Sequence, residues 1–332
     1  MFNLNLKIMR KNLYLILVAI FATTFMTSCG TDENGAIEEV LPKKTYAKVI
    51  SMYDHVNDYF SEGTCVVKSD GKYGVIDMKG KEIIPCTYDR IYNCSDGMFL
   101  FYKDKETGWG QLYGFLDKAG NVTIEAQYDD AASFSDGLAL VAKDAKDSWR
   151  DDYAFINKKG EIVVDFKTYT KMESFSEGLA AVNIDNDNKD VWGFINTKGE
   201  VVIAPVYGHA YSFSDGVAIV GKNDKEFVID TKGEVVFIPE KDMIFIEETF
   251  SEGLMPVAKG NDLKAKCGFV NTKGEEVIPF EYDYAEGFID GTAYVIKDKK
   301  LLEIDKKGKV LEEEKIDTDE LEEYIEDILY LF

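Results

Sequence analysis

The chain has 332 residues, and its 61 acidic against 38 basic side chains give a formal net charge of -23 at pH 7. Nucleic acid and anionic lipid headgroups are therefore excluded as expected partners, because so negative a surface repels both. Hydrophobic residues make up 45% of the chain, which is enough for a packed core.

Residues 1–28 have the pattern of a lipoprotein signal peptide. Three basic residues between positions 7 and 11 precede an apolar run from Leu13 to Phe21, which is too short to span a bilayer comfortably. Small residues then lead to Cys29, in a pattern that resembles a bacterial lipobox with Met26 in place of the usual leucine. We expect cleavage before Cys29 and attachment of lipid to its thiol; a plain secretory signal or an uncleaved anchor is the alternative.

Residues 29–45 are polar, have no strand pattern and are predicted to be a flexible tether. Cleavage would remove three basic residues and no acidic ones, so we expect the protein to reach the membrane through the lipid on Cys29 and not through charge. Asp32 and Glu33 resemble the acidic tag that directs Bacteroidetes lipoproteins to the outer face of the outer membrane. The predicted location is the outer membrane with the next domain exposed on the cell surface; a periplasm-facing domain, or a solvated linker without a targeting role, is the alternative.

The domain over residues 46–311 repeats one unit. A turn that reads Phe-Ser-Glu/Asp-Gly, or a near variant, occurs seven times at spacings of 34 to 41 residues, a period typical of repeat architectures. A short apolar strand, a, follows each turn, and a hairpin of strands b and c comes next. The turn glycines are Gly63, Gly97, Gly137, Gly178, Gly216, Gly253 and Gly291.

The turn between strands b and c has a fixed composition. An Asp or Asn opens it, where its oxygen can accept hydrogen bonds from nearby backbone amides, and a Gly three residues later can adopt the left-handed conformation. The opening residues are Asp77, Asp117, Asn157, Asn196, Asp230, Asn271 and Asp305, and the glycines are Gly80, Gly120, Gly160, Gly199, Gly233, Gly274 and Gly308. A tyrosine nine residues before most of the Phe-Ser turn glycines marks a fourth strand, d.

Seven such four-stranded antiparallel units predict an all-β repeat protein. The chain begins with a lone d strand near Tyr53 and ends with a lone a-b-c set near Val310, so the seventh set is complete only if the first strand pairs with the last three. This pairing would close a ring and remove its sheet edges, and it predicts a seven-bladed β-propeller with an N-terminal closing strand. An open β-repeat array is the alternative.

Residues 312–332 break the repeat and are predicted to form a short amphipathic C-terminal helix. Its apolar stripe consists of Leu321, Tyr324, Ile325, Ile328 and Leu329. We expect this helix to pack on the last unit, with binding to a partner as the alternative.

The units resemble the WG repeats of bacterial proteins, in which an aromatic-glycine pair precedes a short Ile-Asp/Asn-x-x-Gly hairpin. The resemblance covers about residues 53 to 310, although the literal pair is present only at Trp192-Gly193, Tyr-Gly replaces it at 73 and 113, and the copies around Phe227 and Leu301 lack it. It implies a β-rich repeat domain, often found on secreted or envelope proteins, with no common enzymatic activity and no residue roles to transfer.

Neither a metal site nor a cofactor is predicted. The cysteines that remain beside Cys29 lack the paired close spacing of a zinc cluster; they are Cys65, Cys86, Cys94 and Cys267. Two of them, Cys86 and Cys94, flank one d strand and could form a disulfide only if that strand is not fully extended.

The sequence does not predict an enzyme. His55 and His209 lie in predicted d strands without a nucleophile motif beside them. A pair of carboxylates could still hydrolyse a glycosidic bond, so a glycoside hydrolase is the last alternative. The recurring acids share one turn position, where they stabilise the turn or, alternatively, hold a cation; they are Glu62, Asp96, Asp136, Glu177, Asp215, Glu252 and Asp290.

The connections between strands a and b vary in length and composition, and recognition concentrates in such loops. Two of them carry Trp109 and Trp149, and Arg150 and Asp151 follow the second indole. Adjacent indoles with polar neighbours suit stacking on a sugar or an aromatic partner, whereas extension of strand b would make them core residues. The sequence thus predicts a lipid-anchored envelope module that binds a glycan or a protein; a structural subunit of an envelope complex is the alternative.

Overall fold

The computed structural model describes residues 51–57, 60–105, 110–144, 151–186, 189–260 and 265–315. They form 28 β-strands in seven four-stranded antiparallel sheets, so the prediction of an all-β protein of seven four-stranded units is confirmed. None of these residues lies in a helix that could cross a membrane. The predicted signal peptide, the tether, Cys29 and residues 316–332 of the predicted C-terminal helix lie outside the described residues.

Each sheet uses four consecutive strands in the order d-a-b-c. The d strands are β1 (His55–Val56), β5 (Arg90–Ile91), β9 (Asp130–Ala131), β13 (Lys171–Met172), β17 (His209–Ala210), β21 (Met243–Phe245) and β25 (Tyr284–Ala285). The a strands are β2 (Thr64–Ser69), β6 (Met98–Asp104), β10 (Leu138–Asp144), β14 (Leu179–Asn186), β18 (Val217–Lys222), β22 (Leu254–Lys259) and β26 (Thr292–Lys297). The b strands are β3 (Lys72–Asp77), β7 (Gln111–Asp117), β11 (Asp151–Asn157), β15 (Lys189–Asn196), β19 (Lys225–Asp230), β23 (Lys266–Asn271) and β27 (Lys300–Asp305). The c strands are β4 (Glu82–Tyr88), β8 (Val122–Tyr128), β12 (Ile162–Val164), β16 (Val201–Tyr207), β20 (Val235–Phe237), β24 (Glu276–Tyr282) and β28 (Val310–Lys315).

The predicted N-terminal closing strand is wrong. The first d strand, β1, pairs with β2 in its own sheet, and the seventh sheet already has its own d strand, β25. The repeating unit is therefore d-a-b-c, and seven units are complete without pairing between the two ends of the domain. Closing the short d-a turn costs far less chain entropy than joining strands some 250 residues apart, which favours the local pairing.

The ends of the units also differ from expectation. Most of the marker tyrosines, such as Tyr88 and Tyr128, end a c strand and do not lie in the d strand that follows. The a strands lie inside each sheet, between the d and b strands. Residues 312–315, which were assigned to the C-terminal helix, belong to β28 and pair with β27.

The b-c turn follows the predicted chemistry. In the first sheet, Asp77 Oδ1 accepts hydrogen bonds from the backbone N–H groups of Lys79 and Lys81, both at 2.8 Å. Gly80 has a φ of 74°, a left-handed conformation that a side chain would strain. The same pair of bonds recurs at Asp117, Asn157, Asn196, Asp230, Asn271 and Asp305.

The aromatic-glycine pair determines the path of the c strand. In the fourth sheet the pairing advances from Trp192 with Tyr207 to Phe194 with Ile203, so two extra residues of the c strand arch across Gly193. A Cβ on Gly193 would lie 2.5 Å from Ile203 O. Gly74, Gly114 and Gly268 are covered in the same way. Where another residue replaces the glycine, the c strand does not form the arch. The c strands β12 and β20 are only three residues long, and β28 pairs with β27 residue by residue through the glycine position.

Buried side chains fill the spaces between consecutive sheets. Six core clusters each combine residues of two neighbouring sheets, and a smaller cluster belongs to the first sheet alone. The phenylalanine of the Phe-Ser turn packs against a b-strand phenylalanine of the preceding sheet, as Phe134 does on Phe115 with ring centroids 4.8 Å apart. Burial of such a ring contributes about 2 to 3 kcal/mol, so each sheet depends on its neighbour for its core.

The seventh sheet departs from this pattern on its far face. Glu303 stands where the b strands of four other sheets carry a phenylalanine, and Glu312 pairs with it across the sheet. Burial, together with Glu303 and Glu312, raises the pKa of Tyr294 on the same face to about 12. A polar outer face is typical of the terminal unit of a repeat array. The described residues thus form a β-propeller-like series of seven sheets in chain order.

Candidate functional site

The Phe-Ser turns connect strand d to strand a within each sheet, and they lie at one end of the sheets, here called the turn end. The acidic residue of each turn has a positive φ of 47° to 54°. In six turns its carboxylate accepts a hydrogen bond from the N–H of the next turn's glycine, for example Asp96 from Gly137 at 2.6 Å and Asp215 from Gly253 at 2.7 Å. The other four links are Glu62 to Gly97, Asp136 to Gly178, Glu177 to Gly216 and Glu252 to Gly291.

The serine of the turn also contacts the next sheet. Ser95 Oγ donates to Phe134 O at 2.8 Å, and Ser176 Oγ donates to Phe213 O at 2.7 Å. Every residue of the motif therefore has a structural role. The phenylalanine packs on the preceding sheet, the serine and the acid form hydrogen bonds with the next turn, and the glycine donates its N–H to the acid of the preceding turn. In the seventh turn Ile289 replaces the serine and is 72% exposed, so this turn lacks the forward contact of the others.

Lysines of the b-c turns pair with three of the turn acids. The links are Lys118 to Glu62, Lys158 to Asp96 and Lys306 to Glu252, with N to O distances of 2.7 to 2.9 Å. The Lys118 ammonium donates a hydrogen bond that helps to hold the pKa of Glu62 below its usual range. The expectation that these carboxylates stabilise the turns is confirmed, and the alternative of a cation site gains no support from their contacts.

The opposite end of the sheets, here called the loop end, carries the a-b connections. Three of them are two-residue turns in which both residues have positive φ: Asp70-Gly71, Asn223-Asp224 and Asp298-Lys299. This geometry matches the twist of a hairpin. The connections of the second, third and sixth sheets are longer, since six residues separate the paired strands in each.

The predicted ligand-binding residues belong to two of these longer connections. Trp109, Trp149 and Arg150 lie outside the described residues. Asp151 begins β11, where its backbone pairs with Asp144. The structure therefore does not test whether the indoles meet, and this stays a prediction.

One position at the loop end varies from sheet to sheet. It is the first residue of the d strand in six sheets and the second in the sixth, and it is occupied by His55, Arg90, Asp130, Lys171, His209, Ile244 and Tyr284. The residue that follows is apolar in every sheet: Val56, Ile91, Ala131, Met172, Ala210, Phe245 and Ala285. A constant core beside a variable position, polar in six of the seven sheets, is the pattern expected of a scaffold with a recognition surface at one end.

The first two sheets place an arginine among tyrosines at the loop end. Arg90 Nη1 donates a hydrogen bond to the hydroxyl of Tyr73 at 2.7 Å, and its guanidinium carbon lies 4.8 Å from the Tyr73 ring centroid and 5.5 Å from that of Tyr92. Tyr102 pairs with Arg90 across the sheet and meets Tyr113 edge to face at 5.5 Å. These five half-buried residues are called the Arg90 cluster.

Two tyrosines of the cluster, Tyr102 and Tyr113, stay protonated at neutral pH. Burial, with Tyr92 and Asp130 nearby, raises the pKa of Tyr113 to about 12. Burial also raises the pKa of Tyr102. The cluster therefore combines a fixed positive charge, aromatic rings and neutral hydroxyl groups. The sequence analysis did not single out Arg90 or Tyr92, because neither belongs to a recurring motif; the departure of Arg90 from its counterparts in the other units was the available signal.

The fifth sheet has a second polar group at the loop end. His209 Nε2 lies 3.6 Å from Glu226 Oε1, and the imidazole ring is 5.6 Å from that of Tyr211. Gly221 makes room for the imidazole, since a Cβ there would lie 1.9 Å from His209 Cε1. The ion pair is exposed, with 46% of the His209 side chain accessible, and it forms only when the imidazole is protonated.

The repeated segment of the chain matches a known family. The family model of the WG containing repeat matches residues 73–106, 113–146, 153–186, 192–225 and 268–300, which together make up about half of the chain. The chain belongs to the WG containing repeat family. A comparison with curated proteins gave no match.

Each matched WG repeat starts in strand b, at the position of the aromatic-glycine pair, and ends at or beyond the last residue of strand a of the following sheet. A WG repeat thus spans two sheets, which explains why its hydrophobic residues fill the space between neighbours. The unmatched b strands include those of the fifth and seventh sheets, where Phe227 and Leu302 occupy the glycine position.

Three solved structures illustrate what the WG repeat domain is similar to. A eukaryotic initiation factor has a TM-score of 0.49 at 9% identity, over 80% of this chain and 76% of that one. Apo AztD from Citrobacter koseri has a TM-score of 0.43 at 15% identity, over 79% and 86%. The β-propeller domain of the Trilobed protease from Pyrococcus furiosus has a TM-score of 0.42 at 13% identity, over 79% and 97%. Likenesses this distant say nothing about the function of the WG repeats.

The described part of the WG repeat domain holds four cysteines, Cys65, Cys86, Cys94 and Cys267, with no disulfide between them. Cys86 and Cys94 do not form a disulfide. Burial and the neighbouring Glu62 raise the pKa of Cys94 to about 11, and burial with Asp283 nearby raises that of Cys267 to about 11. These thiols are therefore protonated and unreactive at neutral pH. Among the described residues, no group of three or more His, Cys, Asp or Glu side chains is placed to hold a metal ion.

Proposed function

We propose that this protein is a lipid-anchored binding module of the bacterial cell envelope that holds a glycan or protein ligand at the loop end of its WG repeats. The observation that carries this proposal is the difference between the two ends of the sheets. At the turn end, six of the seven turn acids bond to the next unit. At the loop end, position by position, the side chains differ between units, and the Arg90 cluster has no counterpart in the next sheet.

The proposed activity is binding and not catalysis. A hydrolase would need two carboxylates in different environments, one as acid and one as base or nucleophile. The repeated turn acids instead share one environment and one structural role. We therefore propose no catalytic residue and no cofactor.

The proposed anchor is a lipid on Cys29, with the repeat domain on the cell surface. Metabolic labelling with a fatty acid should mark the wild-type protein, and Cys29→Ser should remove the label. Protease treatment of intact cells should digest the repeat domain if it lies outside. Protection until the outer membrane is broken would place it in the periplasm and contradict the surface location.

Ligand binding is tested on the full-length protein purified in detergent. Intrinsic fluorescence should change on titration with a polysaccharide ligand, and Trp109→Ala with Trp149→Ala should abolish this binding while the thermal unfolding temperature stays nearly unchanged. A large loss of stability would make the two indoles core residues. Absence of binding to a broad panel of glycans and extracellular proteins would refute the binding proposal.

A second candidate function is a structural subunit of an envelope complex. The first residues of four consecutive c strands are exposed aliphatic side chains: Val122, Ile162, Val201 and Val235, at 38% to 54% exposure. Glu82 and Glu276 hold this position in the sheets on either side. Such a band suits protein contact. Co-purification with envelope proteins that is lost when Val201 and Val235 are replaced by Ser would favour this role.

A further inference from the structure

We propose that the Arg90 cluster binds the carboxylate of an acidic sugar residue, such as a uronic acid. The inference rests on the proposed function and specifies it, because it names one chemical class of glycan and the residues that recognise it.

Arginine is rare in this chain. Only Arg10, Arg90 and Arg150 are present among 38 basic residues, and Arg10 belongs to the predicted signal peptide. Apart from the pair of His209 with Glu226, the ion pairs described at the sheet surfaces use lysine. The planar guanidinium group differs from an ammonium group in that it can donate two parallel hydrogen bonds to one carboxylate. An arginine at this one described position therefore indicates a planar anion as its partner.

The charge of Arg90 is not neutralised by the described part of the protein. Its guanidinium donates one hydrogen bond, to the uncharged hydroxyl of Tyr73, and no described carboxylate lies within ion-pair distance. The adjacent Asp89 is instead paired with Lys72. In a chain with 61 acidic residues, an unpaired and half-buried arginine leaves its remaining N–H donors for a ligand.

The surrounding rings suit a sugar. Tyr73 and Tyr92 face the guanidinium, and Tyr102 stands beside it on the same sheet. The face of a pyranose ring packs on aromatic side chains, while neutral phenol groups donate to and accept from sugar hydroxyls. The tyrosine rings and the guanidinium can thus bind the same sugar unit, the rings by stacking on its face and Arg90 through its carboxylate.

The cluster is not part of the repeated scaffold. In the third sheet the positions of Arg90, Tyr92 and Tyr102 are occupied by Asp130, Ala132 and Ala142. In the fourth sheet they are occupied by Lys171, Glu173 and Asn183. Both sheets form the same d-a and a-b strand pairs as the second, so the pairing of these strands does not require the arginine and its tyrosines. Residues that depart together from a repeat pattern point to a specific ligand.

The test is calorimetric titration of the full-length protein in detergent with oligosaccharides of galacturonate, mannuronate and glucuronate. At least one should bind, and its methyl ester, which keeps the sugar but removes the negative charge, should bind at least tenfold more weakly. Arg90→Ala should abolish the binding. Arg90→Lys, which keeps the charge and the contact with the rings, should weaken it about tenfold because the bidentate geometry is lost. Lys171→Ala, at the equivalent position of the fourth sheet, is the matched control and should bind like the wild type.

Several results would overturn the inference. Equal binding of the acid and its ester, or wild-type affinity of Arg90→Ala, would move recognition away from the arginine while the proposed glycan binding stands. Equal binding of a sulfated oligosaccharide would make the cluster a general anion site. No binding to any acidic oligosaccharide, together with binding to neutral glycans or proteins, would refute the carboxylate inference alone. Thermal unfolding of Arg90→Lys within 2 °C of the wild type, roughly the shift expected for a change below 1 kcal/mol, ensures that lost binding is not lost folding.

Discussion

Replacement of Gly193 by alanine should strongly destabilise the fourth sheet. A Cβ at this position would lie 2.5 Å from Ile203 O, 2.6 Å from Pro205 N and 2.8 Å from Pro205 Cα. All three atoms are backbone of the c strand, so no side-chain rotation relieves the contact, and the arch that pairs Tyr207 with Trp192 must shift or open. Overpacking of this kind costs about 1 to 3 kcal/mol, to which the lost strand pairing adds. We expect a loss of roughly 3 kcal/mol in the free energy of unfolding.

The measurement is urea unfolding of wild type and Gly193→Ala, followed by far-UV circular dichroism. The matched control is Ala154→Gly, at the same position in the third sheet, where the c strand is only three residues long. This change should cost only about 0.5 to 1 kcal/mol, the usual penalty for glycine within a strand. If Gly193→Ala lost less than about 1 kcal/mol, the arch would not be what requires the glycine, and our explanation of the aromatic-glycine pair would fail.

Three further predictions concern other contacts. Asp96→Ala removes the 2.6 Å hydrogen bond to the next turn and leaves alanine in a left-handed conformation, so the free energy of unfolding, measured by thermal denaturation, should fall by about 2 to 3 kcal/mol. Asp290→Ala, in the last turn, should lower it by at most about 1 kcal/mol, and equal losses would contradict a role of the turn acids in joining sheets. Asn183→Leu should cost about 3 kcal/mol, because the buried amide, when its nitrogen is assigned toward Thr170 Oγ1, places its oxygen 3.1 Å from both Trp192 Nε1 and Val191 N as their acceptor; a neutral effect in urea unfolding would refute that network. Glu62 has a lowered pKa in the folded state, so the stability that its carboxylate contributes is present above its ordinary pKa of 4.5 and is lost as the pH falls through the lower folded pKa. The melting temperature of Glu62→Gln should therefore decline less steeply in that acidic range than that of the wild type. Parallel profiles of the two proteins would count against the ion pair with Lys118.

The local features of the fold could be predicted from the sequence because each depends on residues close together in the chain. The b-c turn requires only a side-chain oxygen at Asp77 and a left-handed backbone conformation at Gly80, and both lie within one four-residue segment. The number of units follows from the period of the Phe-Ser turn. The same holds for the structural role of the turn acids, although the partner of each one, a glycine N–H about 40 residues later, became visible only in three dimensions.

The strand with which each sheet begins could not be predicted in this way. A string of strands d-a-b-c can be divided into sheets at any point with the same local chemistry, so the sequence left the first d strand free to pair with the last sheet. In the structure β1 pairs with β2, because a short turn closes this pairing at little entropic cost. The seventh sheet needs no strand from the other end, since β25 completes it.

The Arg90 cluster shows the same limit for the site. The sequence emphasised Trp109 and Trp149, whose large rings stand out in variable connections, whereas Arg90 lies in a two-residue strand with no motif around it. Tyr73 belongs to the first sheet, and Arg90 and Tyr102 belong to the second, so these residues meet only because two sheets pack face to face.

The sequence by itself determined the all-β class, the seven units, the hairpin turns and the strongly negative charge, because backbone conformation and hydrogen bonding within a turn depend on a few adjacent residues. Only the tertiary structure decided which strands share a sheet, why glycine follows the aromatic residue, and which side chains meet between sheets. These features depend on contacts between distant parts of the chain, where several pairings have similar local chemistry and the packing of whole sheets selects one of them.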